Sequence, residues 1–156
     1  MASRQSGTRR PRRDIRVAVS GCPRPALPPA LVRRVVGIVL DGEGAGEAAF
    51  SVTFMGKGRM RALNRRTFGR DRATDVIAFE LPLVAGAGGD VYVCPAVARS
   101  SAGELGVAAR EELVRLLVHG TLHALGYDHP KDGRREASAM WRRQERYVRM
   151  WSRRSP

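Results

Sequence analysis

Residues 112–129 read ELVRLLVHGTLHALGYDH, a stretch that combines a helical pattern with all three histidines of the chain. Apolar residues recur at three- and four-residue spacing, which predicts a helix over about residues 109–125. Gly126 predicts the helix end, because glycine readily adopts the left-handed conformation found just past a helix C-terminus. His119 and His123 are four residues apart and therefore lie one turn apart on one face of this helix.

His129 lies just beyond the predicted helix end, and the chain reversal at Gly126 can return it as a third ligand. The spacing agrees with the longer zinc motif H-E-x-x-H-x-x-G-x-x-H, including its glycine. Neutral imidazole is a suitable ligand for zinc. We therefore predict one Zn²⁺ ion bound by His119, His123 and His129. Three protein ligands leave a position for water and favour a catalytic ion, whereas a distant Cys or Asp as fourth ligand would make the site structural.

The segment differs from the metallopeptidase motif at one decisive position. In H-E-x-x-H the glutamate after the first histidine is the general base for peptide cleavage. That position here is Gly120, so peptide hydrolysis is disfavoured. Phosphodiester chemistry is favoured, because a metal ion and arginines together can stabilise the charge that develops on a phosphate. Asp128 is expected either to orient a ligand imidazole or to cap the turn.

The charge of the chain indicates an anionic partner. Its 156 residues include 28 Lys or Arg and 15 Asp or Glu, a formal net charge of +13. Only Lys57 and Lys131 are lysines, and arginine suits phosphate recognition, although GC-rich coding would give the same preference. The net charge favours a polyanion, with an anionic membrane as the weaker candidate because no basic amphipathic anchor stands out.

Other sequence features restrict the location of the protein. The longest apolar run, residues 35–40, is far shorter than the roughly 20 residues that span a membrane. The first dozen residues contain arginines but no apolar segment of the secretory type. Two cysteines, Cys22 and Cys94, provide no disulfide framework. We expect a cytoplasmic protein with no membrane partner.

The order of patterns along the chain predicts an α+β fold. Alternating and helical segments mix without strict β-α-β order, which indicates a single small domain with a mixed sheet of about four strands packed against helices. The domain is predicted to cover residues 14–156, after a flexible basic arm at residues 1–13, with the zinc site at the end of the long helix. Strands are predicted near residues 14–19, 48–54, 75–79 and 90–94, and helices near 28–41, 59–66, 95–102, 109–125 and 133–151, with residues 85–89 irregular.

The last predicted helix is amphipathic, with many arginines on one side and a largely apolar set on the other. The second set comprises Ala137, Met140, Gln144, Tyr147 and Trp151.

Three blocks of the chain resemble one known family. The histidine segment closely resembles the signature of the YbeY family, bacterial metal-dependent endoribonucleases that act in rRNA maturation. Leu63-Asn64 followed by DRATDVIAF at residues 71–79 is similar to the family's Leu-Asn and Lys-Asp-x-Pro-Thr-Asp-Val-Leu-Ser-Phe. GDVYVC at residues 89–94 resembles its Gly-Asp-Ile strand. Together the blocks extend from about residue 50 to residue 140.

The resemblance implies a small α+β fold with zinc held by the three histidines, and the trimming of ribosomal RNA precursors and ribosome quality control as the role. The expected function is a single-strand-specific, zinc-dependent endoribonuclease, with precursor rRNA and ribosomal particles as partners and no DNA. RNA is expected to approach over arginines within residues 61–72, with Arg70 contacting a phosphate. The attacking group is either a hydroxide on the zinc or the ribose 2′-OH.

The chain departs from the family at one position. An arginine usually lies four residues after the asparagine of Leu-Asn, and here that position is Phe68. An alternative function is therefore a zinc-bearing, RNA-binding ribosome assembly factor with little or no turnover, and a metallopeptidase is the less favoured third.

Overall fold

A computed structural model describes residues 13–129, 133–134 and 138–154 of the chain. The helices and strands alternate irregularly, as an α+β fold requires. Their bounds in chain order are β1 Asp14–Gly21, α1 Pro29–Gly42, β2 Glu47–Phe54, α2 Lys57–Phe68, β3 Val76–Leu81, β4 Ala87–Val93, α3 Pro95–Leu105, α4 Ala109–Ala124 and α5 Ala139–Arg154. The predicted α+β class and four-stranded mixed sheet are confirmed.

The four strands form one sheet in the order β1-β2-β4-β3. β1 pairs in parallel with β2, and β2 pairs in parallel with β4. β3 is antiparallel to β4 and lies at the sheet edge. The parallel strands have apolar residues where their side chains face the helices, and Val52 and Val91 are completely buried there.

The long helix α4 lies at the centre of the molecule. It contacts β3, β4, α1, α3 and α5, and most of its side chains are buried. Two glycines allow it to approach the sheet closely. A Cβ atom at Gly120 would lie 2.6 Å from Val91 Cγ1, and one at Gly89 of β4 would lie 2.6 Å from the Cβ of Ala124. These contacts fix the C-terminal half of α4, which carries the histidines, against the edge of the sheet.

The sequence prediction was wrong at the start of β4. Residues 85–89 were expected to be irregular, but β4 begins at Ala87, and Gly88 and Gly89 pair with Ala49 and Phe50 of β2. A strand that contains several glycines is difficult to predict, because glycine has no side chain and gives no alternation of apolar and polar residues. Within this strand, position 89 must be glycine because Phe50 and Ala124 leave no space for a Cβ.

The start of the last helix was also predicted too early. The helix begins at Ala139 rather than near residue 133, since Gly133 has a left-handed φ of 78°, which an α-helix excludes. Ser138 caps the helix, and its Oγ accepts a hydrogen bond from the backbone N–H of Trp141 at 3.1 Å. Ala137, which the prediction placed on the apolar side, lies outside the described residues.

Residues 1–12 lie outside the described part of the chain, so the flexible arm at residues 1–13 stays a prediction, as does the boundary of the domain at residue 14. Arg13, the first described residue, forms an ion pair with Asp41 at 2.9 Å. In the described ranges, no helix combines the length and the apolar character that a bilayer crossing requires.

Candidate metal centre

The C-terminal end of α4 presents the first two histidines. His119 and His123 lie one turn apart, and the helix ends two residues before Gly126, which has a φ of 99°. The N–H of Gly126 donates to the carbonyl of His123 at 2.9 Å, and the N–H of Tyr127 donates to the carbonyl of Leu122 at 3.1 Å. These bonds close the turn and direct the chain back towards the helix.

The turn brings His129 back to the two helical histidines. One ligand atom of each imidazole lies within 4.8 Å of those of the other two, and the three rings have centroid distances of 4.6, 4.8 and 4.8 Å. His129 Nε2 is 3.2 Å from His119 Nε2. Two nitrogens bound to one tetrahedral zinc ion at about 2.0–2.1 Å lie about 3.3 Å apart, so this spacing fits a shared cation. The three histidines could therefore hold a metal ion.

The group consists of imidazoles alone. Across residues 13–129, 133–134 and 138–154, no cysteine, aspartate or glutamate joins the three histidines as a fourth ligand. Cys94 is buried in the small cluster around Met60 and Ile77, and Cys22 is exposed. Asp128 Oδ1 is 3.8 Å from His123 Nδ1, too far for a hydrogen bond, and the Asp128 side chain is 94% exposed.

Gln144 of α5 orients the ring of His119. Its side chain is 3% exposed, and its Oε1 is 2.7 Å from His119 Nδ1. The amide orientation follows from chemistry, since Gln144 Nε2 donates to the carboxylate of Glu145 at 3.3 Å. Gln144 Oε1 must then accept a hydrogen bond from the Nδ1–H of His119, which leaves the lone pair of a neutral imidazole on Nε2. Nε2 is the atom that faces His129, so this hydrogen bond presents the correct nitrogen to a metal.

Gln144 is in turn connected to a network of charged side chains. Arg115 of α4 lies between α4 and α5, and its guanidinium contacts Glu145 at 2.9 Å, Glu111 at 3.2 Å and Glu112 at 3.5 Å. Burial raises the pKa of Glu112, and the positive charge of Arg115 opposes that shift. The network fixes Glu145, and Glu145 fixes the amide group that holds His119.

The same network borders a cavity of about 460 Å³ beside His119. Asp75 at the start of β3 and Trp141 of α5 line it, together with Leu105 and Leu116. Asp75 also has a local role, because its carboxylate accepts the N–H of Val76 at 2.8 Å and the hydroxyl of Thr74 at 3.3 Å. The cavity gives the histidine face of α4 an accessible recess on its Gln144 side.

The position of Gly120 explains why a peptidase base is absent. The residue faces the sheet, where a Cβ would meet Val91 Cγ1 at 2.6 Å and Val76 Cγ2 at 3.1 Å. A glutamate at this position would be driven into the apolar core rather than towards the histidines. Glycine in place of the glutamate of H-E-x-x-H therefore removes the general base and also satisfies the close packing of α4 against the sheet.

A second, partly buried carboxylate holds the turn that carries His129. Glu43, just after α1, accepts hydrogen bonds from the hydroxyls of Tyr127 and Tyr147, both at 2.6 Å, and from Arg143 at 3.0 Å. Burial acts to raise the pKa of Glu43, but these three donors together lower it below its usual value. Arg143 also lies over the Tyr127 ring, with 5.1 Å between its guanidinium carbon and the ring centroid. Glu43 therefore connects α1, α5 and the turn before His129.

The arginines expected to meet RNA lie on α2 and the loop that follows. Arg61 is paired with Asp71 through two contacts of 2.8 Å, so its charge is largely matched. The ring of Phe68, at the end of α2, is 55% exposed and lies 6.0 Å from the guanidinium carbon of Arg70. Buried Asn64 donates to the carbonyl of Arg72 at 2.8 Å and ties the middle of this loop to α2.

Two functional candidates were not identified from the sequence. Gln144 was predicted to lie on the mainly apolar side of the last helix, and its polarity there was the available signal. Glu43 lies in an acidic, glycine-containing stretch that reads as a loop. Its partners are 84 and 104 residues away in sequence, so no local pattern points to it.

Comparison with known proteins identifies similar chains. The family model described as "Endoribonuclease YbeY" matches residues 29–152. An Endoribonuclease YbeY of Anaeromyxobacter sp. is 44% identical over 99 residues, which cover 60% of this chain and 52% of that protein. The Pelotomaculum thermopropionicum protein of the same name is 39% identical over 124 residues, covering 74% of this chain and 80% of that protein. This chain thus spans about half of the first relative and four fifths of the second.

A solved structure has the same overall fold. The solution structure of TM1509 from Thermotoga maritima superposes with a TM-score of 0.57 at 26% sequence identity, and the match covers 88% of each chain.

Proposed function

The chain belongs to the YbeY family, and on that premise we propose that it is a zinc-dependent endoribonuclease whose ion is held by His119, His123 and His129. The observation that carries the proposal is the convergence of three imidazoles, with Nε2 of His119 and His129 3.2 Å apart. Three nitrogen ligands without a described fourth protein ligand suit a catalytic zinc ion. A bound zinc ion would supply Lewis acidity at the scissile phosphate.

The protein side chains then have distinct roles. Gln144 keeps His119 in the tautomer that directs its Nε2 lone pair towards the ion site. Glu43 holds Tyr127 and with it the turn that returns His129. Gly120 allows α4 to lie against Val91, which places the histidines beside the sheet edge. None of these residues supplies a general base, and we assign that role to no side chain.

Single-stranded RNA is the proposed substrate. The exposed arginines of α2 and its following loop, Arg65, Arg66, Arg70 and Arg72, offer phosphate contacts near the start of β3. Asp75 and Val76, at that start, line the cavity beside His119. We place Arg70 at a phosphate next to the scissile one, since its guanidinium lies by Phe68, the position that carries an arginine in the family pattern.

The proposed role is maturation of ribosomal RNA precursors and ribosome quality control in the cytoplasm. It is supported by family membership and by the net charge of +13, which favours a large polyanion such as a ribosomal particle.

RNA cleavage with controlled metal content tests this function. The purified protein is stripped with a chelator, checked for residual metal, and assayed on single-stranded RNA with zinc added back in steps. We expect no cleavage by the stripped protein, recovery at one zinc per chain, and loss of cleavage in His123→Ala with folding retained. Asp128→Asn is the matched control at the same turn, because its exposed side chain makes no hydrogen bond to His123. Equal cleavage by metal-free His123→Ala would refute the proposal.

A zinc-bearing assembly factor that binds RNA without cleaving it is the second candidate. The exposed aromatic ring of Phe68, where the family pattern has arginine, favours it. Single-turnover assays on precursor rRNA, with binding measured on the same samples, separate the two candidates. Salt-sensitive binding without products would support the assembly factor, because phosphate contacts weaken steeply as salt rises.

A further inference from the structure

The outer face of α5 carries a row of arginines that the metal centre does not use. The helix buries Met140, Gln144, Tyr147, Val148 and Trp151 against the core. Its opposite face has arginines at spacings of four, three and four residues, which align on one side of a helix. This arginine row consists of Arg142, Arg146, Arg149 and Arg153, all exposed. At 1.5 Å per residue the row extends over about 16 Å.

The charges of Arg146, Arg149 and Arg153 are not matched by nearby acidic groups. Glu145 is the single acidic residue in the sequence of α5, and Arg115 engages its carboxylate from the other side. In the described part of the chain, no carboxylate forms an ion pair with Arg146, Arg149 or Arg153. The row therefore presents a concentrated positive potential to solvent.

A neighbouring helix extends this positive surface. Arg34 of α1 is exposed, and its guanidinium donates a hydrogen bond to the backbone carbonyl of Arg154 at the end of α5. Arg33, next to it, donates to the carbonyl of Val17 at 3.1 Å. The basic surface thus continues past the C-terminal end of the row onto α1.

The chemistry of this surface favours a nucleic-acid backbone over a membrane. A membrane-binding amphipathic helix needs a free apolar face to insert, but the apolar face of α5 is packed against the core. Guanidinium groups bind phosphate oxygens through paired hydrogen bonds. We propose that the arginine row binds the phosphate backbone of the RNA at a distance from the cleavage site, an inference that rests on the proposed endoribonuclease function.

The arginine row and the three histidines lie on opposite sides of α5. Gln144 touches His119 from the face opposite the row. The two faces of a helix are separated by about 10–12 Å, so the row lies on the far side of α5 from the histidines. The row acts on a flanking part of a long RNA. A fragment that fills only the metal centre and the α2 loop does not reach it.

Two matched triple variants test the proposal. One replaces Arg146, Arg149 and Arg153 with glutamine, and the other replaces Arg24, Arg99 and Arg110, which are also exposed but lie outside α5. Both variants lose the same net charge, and glutamine has a helix propensity close to that of arginine. Arg142 is retained in both variants. Because Arg146 also donates to the Tyr147 hydroxyl at 3.3 Å, a second row variant with only Arg149→Gln and Arg153→Gln leaves that contact intact.

We expect the row variant to bind a long single-stranded RNA at least about tenfold more weakly at moderate salt. The slope of log affinity against log salt should fall by about 2, since each lost single-strand phosphate contact removes about 0.7. Zinc content and cleavage of an RNA of a few nucleotides should equal those of the parent. For the variant at positions 24, 99 and 110, the slope should differ from that of the parent by no more than about 0.7, the contribution of one phosphate contact.

Several results would overturn the proposal. An equal loss of RNA affinity in both variants would show a general effect of net charge, and unchanged affinity in the row variant would show that the row does not touch RNA. Loss of binding to phosphatidylserine vesicles with RNA affinity intact would assign the row to a membrane. The proposed endoribonuclease function is tested separately, since cleavage by metal-free His123→Ala equal to that of the parent would refute it without bearing on the row.

Discussion

Replacement of Gln144 by leucine tests how the protein orients a histidine of the candidate metal centre. The leucine side chain has a similar size and removes the acceptor that lies 2.7 Å from His119 Nδ1. Gln144 is buried, so water cannot easily replace its amide oxygen. The His119 ring then loses the interaction that fixes its tautomer and its orientation, while the three ligand nitrogens themselves stay in the protein.

The magnitude follows from two effects. Leaving the Nδ1 proton of His119 without its acceptor in a part-buried position costs about 1–3 kcal/mol. Loss of a hydrogen bond to a ligand histidine weakens metal binding by about 10–100-fold. These ranges agree, because a tenfold change corresponds to about 1.4 kcal/mol. We therefore expect zinc affinity to fall by about 10–100-fold in Gln144→Leu.

Competition with a fluorescent chelator measures the zinc affinity directly, and nitrogen-15 NMR of the imidazoles in the metal-free protein reports the His119 tautomer. Gln144→Glu is the control, since its carboxylate keeps an acceptor at the same place and should keep the Nδ1–H tautomer. A Gln144→Leu protein with parental zinc affinity and an unchanged tautomer would refute the positioning role of Gln144.

Three further predictions concern the fold and the site. Gly120→Ala should gain about 1 kcal/mol of helix propensity but lose about 1–3 kcal/mol to overpacking against Val91, 2.6 Å from the added Cβ. Denaturant unfolding should thus show a net loss of up to about 2 kcal/mol. Gly37→Ala is the control and should stabilise the protein, because its Cβ meets no atom within 4 Å. A Gly120→Ala protein more stable than the parent would contradict this packing argument. Glu43→Gln should cost about 1.5–3 kcal/mol near pH 7. The pKa of Glu43 is lowered in the folded protein, so this loss of unfolding free energy should be complete above the unfolded pKa of about 4.3. It should disappear as the pH falls through the folded pKa. A loss of stability that does not depend on pH would contradict this reasoning. Phe68→Arg should speed single-turnover RNA cleavage by about tenfold or more, and an unchanged rate would exclude a role for that position.

The grouping of the three histidines was predictable because the information for it lies in one short segment. Residues 119–129 contain both the helical spacing of two histidines and the glycine that reverses the chain, so the proximity of the three imidazoles follows from this segment. The fold class followed from the alternation of apolar residues in the same way. Family resemblance added the expected activity, which the spacing of histidines alone does not give.

The supports of the site could not be predicted, because they depend on contacts between distant segments. Gln144 meets His119 across 25 residues, and Glu43 meets Tyr127 across 84. The early part of β4 was missed for a related reason. The need for glycine at position 89 comes from the side chains of Phe50 and Ala124, which are distant in sequence. A glycine has no side chain and therefore adds nothing to the apolar and polar alternation that predicts a strand.

X-ray absorption spectroscopy at the zinc edge, on the full chain loaded with one zinc per molecule, tests the central claim most directly. Three imidazole nitrogens at about 2.0–2.1 Å and one oxygen from solvent are expected, and His123→Ala should lose one imidazole from this shell. A sulfur ligand at about 2.3 Å, or a complete shell of four protein ligands, would contradict an open catalytic site formed by His119, His123 and His129.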